Sequence, residues 1–287
     1  MSITSPSPPP GLTRLGGTPP LREYLAQVWA RREFARETAV GELRAQHMDT
    51  TLGALWHLLN PILQISIYYL IFGLILQVDR GVENFVGYLA VGVFVFHWSS
   101  KAITGGATAI TGNEGLIRSL QFPRALLPIS TVIKETLAFL PGVLVMIAVM
   151  LLTGEGLSVS WLLAPAAFVL GCLFCLGGAF VTARATHVFR DTQNLLPFVF
   201  RLVFYMSGVL YVVDSRFHGA FERAWVQWAF IANPFYALLS IWRDAFMSSQ
   251  PISNLPLLWA SAGIWAVGLL VVGLLLFRAG EKDYGRG

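Results

Sequence analysis

The chain is dominated by long apolar runs, and these restrict its folding more than any other feature. A helix needs about 20 mostly apolar residues to cross the hydrocarbon core of a bilayer. Within that core every backbone N–H and C=O must be satisfied by the protein itself. The runs Leu58–Gln77, Phe85–Ile110, Ala125–Leu152, Trp161–Ala183, Leu195–Val213 and Leu255–Phe277 therefore predict six transmembrane helices. Composition points the same way: 55% of the 287 residues are hydrophobic and 13% charged, where a soluble domain carries about a quarter charged residues. The expected fold class is an all-α polytopic membrane protein.

Orientation follows from the basic residues beside the spans, because short cytoplasmic loops collect Arg and Lys. Arg22, Arg31, Arg32, Arg36, Arg44, Arg118, Arg124, Arg184, Arg190, Arg278, Lys282 and Arg286 fall on one side, and Arg80, Arg216, Arg223 and Arg243 on the other. Both termini are placed in the cytoplasm. The cations are scattered over membrane flanks, which argues against nucleic-acid binding.

Residues 1–20 form a Pro/Ser-rich tail expected to be disordered. Leu21, Tyr24, Leu25, Val28 and Trp29 then fall on one helical stripe. A helix so short and so flanked by charge is expected to lie in the membrane interface, with Arg32 reaching back to lipid phosphates. Between the second and third spans, Gly112–Ser130 is too polar for hydrocarbon. Leu116, Ile117 and Leu120 make a small stripe there, Glu114 and Arg118 suit a helix dipole, and Pro123 and Pro128 interrupt what precedes them. This is either a short amphipathic helix on the cytoplasmic face or an ordinary loop. Asp214–Asn254 lies outside and holds two amphipathic pieces around Asn233-Pro234, neither long enough to span. A re-entrant helical hairpin between spans five and six fits, and so does an interfacial aromatic belt.

Ionisable groups inside predicted spans are costly and mark function by default. Lys101, Lys134 and Glu135 are such groups, and the last two point some 100° apart on a helix. His97 reads as a satisfied bundle histidine. Tyr68, Phe72, Phe204 and Tyr205 lie near the middle of spans one and five, and flat aromatic faces suit the apolar C–H surfaces of sugars. Tyr68 and Phe72 share a helix face, whereas at most one of Phe204 and Tyr205 should face a path squarely. No GxxxxGK[ST] segment occurs in the sequence, so ATP and Mg²⁺, if used, belong to another chain, and no cofactor is expected here.

One ordered set of short motifs goes further: Leu52-Gly53-Ala54-Leu55-Trp56 through Asn60-Pro61, Asn113 with Leu116-Ile117-Arg118, and Phe122-Pro123-Arg124 with Leu127-Pro128. Arg190-Asp191 through Pro197, Ser207–Tyr211, and Asn233-Pro234-Phe235 with Arg243 complete it. In this order the chain resembles the membrane subunit of ABC-2-type exporters of O-antigen, capsule, teichoic acid or galactan. It departs from that pattern at Gln46-His47, where a basic-aromatic pair is usual, and at Gly208, where proline is usual.

The resemblance implies a homodimer working with two copies of a separate nucleotide-binding subunit, and a lipid-linked glycan as substrate. The coupling helix at 112–122 would present Asn113, Glu114, Leu116, Ile117, Arg118 and Leu120 to the ATPase, with Arg190 and Asp191 as a second contact. Helices within 214–254 would form an outer gate. Tyr68, Phe72, Phe204 and Tyr205 would line the path, and Arg31, Arg32 and Trp56 would meet the lipid pyrophosphate. The implied division is a tail at 1–20, an interface helix and linker at 21–57, a transmembrane domain at 58–277 and a cytoplasmic tail at 278–287, in a bacterial cytoplasmic membrane. A drug or lipid exporter of the same fold stays open, as does a proton-coupled flippase using Lys101 and Glu135. So does a membrane glycosyl- or phosphotransferase, for which only Asp191 offers a metal ligand.

Overall fold

The computed structural model describes residues 20–46, 51–75, 82–213, 224–248 and 252–284. The tail at 1–19, the start of the outer segment at 214–223 and residues 285–287 lie outside the described residues. Among those described, helices carry the fold: α1 (Leu21–Ala30), α2 (Arg32–Ala45), α3 (Trp56–Tyr68), α4 (Phe85–Thr108), α5 (Glu114–Ser119), α6 (Leu126–Leu152), α7 (Ala164–Val188), α8 (Thr192–Met206), α9 (Ala224–Ile231), α10 (Pro234–Phe246) and α11 (Leu255–Ala279).

Among the described residues, five helices are long and apolar enough to cross a membrane: Trp56–Ile75, Phe85–Thr108, Leu126–Leu152, Val159–Val188 and Leu255–Ala279. The first is α3 continued as a π-helix over Tyr69–Ile75. It starts before Asn60, so Asn60-Pro61 does not cap it. Pro61 lies inside the helix and removes an N–H from its first turns. Pro128, expected to interrupt a helix, sits in the first turn of α6, where the missing donor would have had no helical partner.

The expected fifth span, Leu195–Val213, is not a helix of that length. α8 has 15 residues and stops at Met206, about 22 Å at 1.5 Å per residue. Gly208 then takes a left-handed backbone (φ 61°) that turns the chain aside, a conformation open to glycine at little steric cost. The freed carbonyls are met by neighbours. The Tyr88 hydroxyl on α4 lies 3.1 Å from the Gly208 oxygen and 2.8 Å from that of Tyr211. Arg243 on α10 donates to the Val209 oxygen (3.1 Å) and lies over the Tyr88 ring.

α4 is the centre of the bundle and is mostly buried between α6, α7, α8 and α10. It approaches α7 closely because Gly106 faces Ala179 with no room for a side chain. α7 and α11 meet in the same way, Gly177 against the backbone of Leu269-Leu270 and Gly273 against Gly177. Membrane helices pack by such small-residue contacts, since hydrocarbon gives no hydrophobic drive between them. α9 and α10 meet at Asn233-Pro234. The Asn233 side chain accepts from the Phe235 and Tyr236 N–H groups (3.0 and 3.3 Å) and donates to the Ser207 hydroxyl (3.2 Å), tying α10 to the end of α8. α10 is buried along most of its length, including Trp242 and Arg243.

Gly177→Ala drives a methyl group into the α11 backbone and should lower stability by about 1–3 kcal/mol, the usual range for overpacking. Gly263→Ala meets nothing within 4 Å and should leave the thermal midpoint in detergent unchanged. Equal midpoints for the two variants would contradict this packing.

Candidate transport path and cytoplasmic face

α3, α4 and α8 enclose an aromatic cleft of about 280 Å³ lined by Tyr68, Phe96, His97, Ser100, Pro197, Phe200, Arg201, Phe204 and Tyr205. Three of the four residues expected on a path line it. Tyr68 lies 5.8 Å from Phe204 between ring centroids, and Phe204 lies 5.4 Å from Tyr205. Phe72 is outside the lining but stacks on Tyr68 at 6.2 Å. Phe204 and Tyr205 both line the cleft, on different faces of α8. Phe204 is buried against Phe96 (5.1 Å), while Tyr205 stands exposed at the rim. Phe96, His97, Phe200 and Arg201 were not singled out from the sequence for this path. Their signal was spacing: Phe200 and Arg201 fall three to four residues before Phe204 and Tyr205, on the same faces of α8.

A second, more polar cleft of about 120 Å³ adjoins it between α3, α4 and α6, with Gln46, His57, Asn60, Gln64, His97, Lys101 and Glu135 in its wall. His97 lines both clefts. Its Nε2 is buried without a hydrogen-bond partner among the described residues, so it is not the satisfied histidine the sequence suggested. Lys134 bridges Glu42 on α2 (3.1 Å) and its neighbour Glu135 (3.5 Å). Adjacent residues on a helix diverge, but a long lysine side chain is flexible enough to reach both.

The C-terminal ends of α4 and α7 and the N-terminal end of α8 form another group. The segment expected at 112–122 contains α5, preceded by a 3₁₀ turn over Thr111–Asn113. Asn113 Nδ2 donates to the Ala109 oxygen (2.9 Å) and holds that turn. Ile117 is buried with Tyr24, Phe180, Phe277 and Tyr284, and Leu116 packs at the edge of this cluster. Ile117 therefore seats α5 on its own protein, leaving Arg118 and Leu120 exposed. Glu114 pairs with Arg118 (3.7 Å) and with Arg190 (3.5 Å), so two regions far apart in sequence meet at one carboxylate. Thr108, Thr111, Gly112, Glu114, Thr186, Arg190 and Gln193 line the cleft between them. Asp191 is exposed, and its backbone oxygen accepts the Asn194 and Leu195 N–H groups in the first turn of α8.

The three rim residues do not form one site by hydrogen bonds or ring contacts among the described residues. Arg31 donates to the Gln121 oxygen, Arg32 lies over Trp29 (5.1 Å), and Trp56 stands half-buried at the start of α3.

Residues 280–284, within the segment expected as a cytoplasmic tail, fold back as a clasp. Tyr284 is fully buried and donates to the Phe277 oxygen (3.0 Å). Glu281 accepts from the Arg124 N–H (3.0 Å), and Asp283 pairs with Arg184 (3.3 Å). The Ala125 N–H donates to the Tyr24 hydroxyl (3.4 Å). Burial, and then the facing Glu281 carboxylate, push the Tyr24 phenol well above its ordinary pKa, so it stays a neutral donor. α1, the start of α6, the end of α7 and the residues after α11 are thus one unit. A lone tyrosine in a charged, glycine-flanked stretch was the only hint.

Taken together, this is a multi-pass helical membrane protein in which α5 gathers with the ends of α4 and α7 on one face. The profile of the ABC-2 type transporters matches residues 40–247, and the chain belongs to that family. It is similar to the "O-antigen export system permease protein RfbA" of Klebsiella pneumoniae, 28% identical over 242 residues that cover 83% of this chain and 88% of the relative. The protein of the same description from Myxococcus xanthus is 26% identical over 234 residues, 78% of this chain and 88% of that one. The "Polysialic acid transport protein KpsM" of Escherichia coli is 22% identical over 246 residues, 84% and 91% of the two chains.

Tyr284→Ala empties a buried ring site and should cost about 3 kcal/mol or more, as large-to-small aromatic changes do. Tyr284→Phe removes one hydrogen bond and should cost about 1 kcal/mol. Thermal unfolding with limited proteolysis near α1 distinguishes the two; wild-type behaviour of the alanine variant would mean that the clasp does not hold α1.

Proposed function

We propose that this chain is the membrane subunit of an ATP-driven exporter that moves a lipid-linked polysaccharide across the bacterial cytoplasmic membrane. The observation that carries the reading is the aromatic cleft between α3, α4 and α8, in a family whose similar members are described as exporters of O-antigen and polysialic acid. A long glycan cannot be enclosed in one pocket, so it must pass repeated contacts that are each modest. Ring faces such as those of Tyr68, Phe204 and Tyr205 supply such contacts without demanding one register.

In this reading the chain works as a homodimer with two copies of a nucleotide-binding subunit, which holds ATP and Mg²⁺. Both termini lie in the cytoplasm. The node of Glu114, Arg118 and Arg190, with Asn113, Leu120 and Asp191 around it, is the docking surface for that subunit. α9 and α10 serve as a partly inserted outer gate. Arg31, Arg32 and Trp56 would meet the lipid pyrophosphate separately along the cytoplasmic rim.

Depleting the protein should make lipid-linked glycan accumulate on the cytoplasmic side while synthesis continues. Intact glycan export with raised sensitivity to lipophilic drugs would replace this reading with a small-molecule exporter. Tyr68→Ala with Phe72→Ala should slow export in a reconstituted transporter without abolishing ATP hydrolysis.

Arg190→Glu breaks an exposed ion pair, worth about 0.2–1 kcal/mol at most, so the variant should fold and insert normally. It should nevertheless uncouple hydrolysis from export, and Glu114→Arg should do the same. Full export by both variants with unchanged subunit association would remove the docking assignment.

A further inference from the structure

The charges carried by helices at membrane depth fall into two groups. Lys134 is held by Glu42 and Glu135, Arg184 by Asp283, and buried Arg243 by the Val209 oxygen and the Tyr88 ring. Asp244 accepts from the Trp259 indole (3.0 Å). Lys101 on α4 and Arg201 on α8 differ, because both are exposed and neither joins an ion pair among the described residues. The contact made by the Arg201 guanidinium is with the Phe198 ring, 6.0 Å away.

These two cations line the two adjoining clefts that meet at His97. No carboxylate is in the wall of the Arg201 cleft. The carboxylate in the wall of the Lys101 cleft, Glu135, is taken by Lys134. Lys101 lies about 10 Å from the Thr108 end of α4, and Arg201 about 14 Å from the Thr192 end of α8, at 1.5 Å per residue. Both therefore belong to the same half of the bundle. His97, which lines both clefts, has an Nε2 with no hydrogen-bond partner among the described residues, and Tyr68 and Tyr205 line the Arg201 cleft. Cations at such depth are expensive unless something anionic meets them. A path for an uncharged polymer would need neither.

We infer that Lys101 and Arg201, with His97 lining both their clefts, form an anion-binding step within the aromatic path, which takes a phosphate or carboxylate group of the passing substrate. The inference rests on the exporter reading above and adds to it a place within the path, apart from the rim residues, where negative charge on the substrate is met. The charge has two chemical sources: the pyrophosphate of a lipid carrier, or acidic sugars within the polymer. One cation in each cleft, with no tight cage around either, favours binding strong enough to guide an anion and weak enough to release it, as conduction through a pore requires.

The test uses the chain with its nucleotide-binding partner in nanodiscs of uncharged lipid, with binding measured by calorimetry. Four probes are compared: farnesyl pyrophosphate, farnesol, an oligogalacturonate and a malto-oligosaccharide of equal length. At least one anionic probe should bind about tenfold tighter than its neutral counterpart, in keeping with charge-assisted hydrogen bonds. That preference should shrink as salt rises. Preference for farnesyl pyrophosphate over farnesol assigns the anion to the lipid carrier; preference for the oligogalacturonate assigns it to the polymer. The double variant Lys101→Gln with Arg201→Gln should lose any oligogalacturonate preference and reduce a farnesyl pyrophosphate preference to what the rim residues Arg31, Arg32 and Trp56 supply, whereas Lys101→Arg with Arg201→Lys should keep the wild-type preference.

Anion binding by the glutamine variant at wild-type strength would overturn the inference, and so would equal binding of charged and neutral probes by the wild type. Should the double variant fail to fold, the salt titration of the wild type decides: a preference unchanged by salt overturns the inference. Normal glycan export by the glutamine variant would also remove the anion step while leaving the exporter reading in place. Export that survives depletion of the protein removes the exporter reading itself.

Discussion

A buried backbone carbonyl needs a protein donor, and the bundle is arranged around one place where a helix stops among buried neighbours. α8 ends at Met206, and the oxygens of Gly208, Val209 and Tyr211 need protein donors. Tyr88 and Arg243 meet that need, which fixes α4 and α10 on either side of the break. Gly92 leaves the space into which the Arg243 guanidinium fits. Asn233, by joining Ser207, brings the start of α10 to the same point. The buried position of α10 is therefore the other half of the broken helix, since each satisfies what the other leaves open.

The placement of α8 also relates the two candidate sites. Arg190 and Asp191 precede its first turn, and Phe200, Arg201, Phe204 and Tyr205 lie further along it. In the proposed function, a displacement at the Glu114–Arg190 pair reaches the aromatic cleft through one short rigid helix. α4 offers a parallel connection, with His97 and Lys101 at the clefts and Asn113 bonded to Ala109 just past its end.

Hydropathy made the long helices legible, because burial in lipid imposes a composition that each run carries by itself. α4, α6, α7 and α11 appear close to their expected limits, and the short helix α5 follows the stripe of Leu116 and Ile117. The break in α8 was not legible: Leu195–Val213 is apolar throughout, and a glycine turns a helix aside only where distant donors accept the exposed carbonyls. Tyr88 and Arg243 supply them from far along the chain. The aromatic cleft was readable in part, since Tyr68, Phe204 and Tyr205 could be chosen by depth and helix face. The spacing of Arg201 from Tyr205 set its face on α8, but not that the face lines a cleft, and His97 could not be placed, because its role depends on which helices lie opposite. The clasp at 280–284 was hidden for the same reason: Tyr284 has little meaning until Phe277, Tyr24 and Arg184 surround it.

That clasp also sets an order of events during synthesis. Tyr24 is buried against residues that leave the ribosome long after it, and Ile117 shares the same cluster. α1 and α5 can be made early, but neither reaches its final seat until α11 has inserted and Tyr284 has closed over Phe277. A nascent chain thus holds the face around α5 in unfinished form until the residues after α11 have been made, and assembly with any partner there is deferred until the bundle is whole.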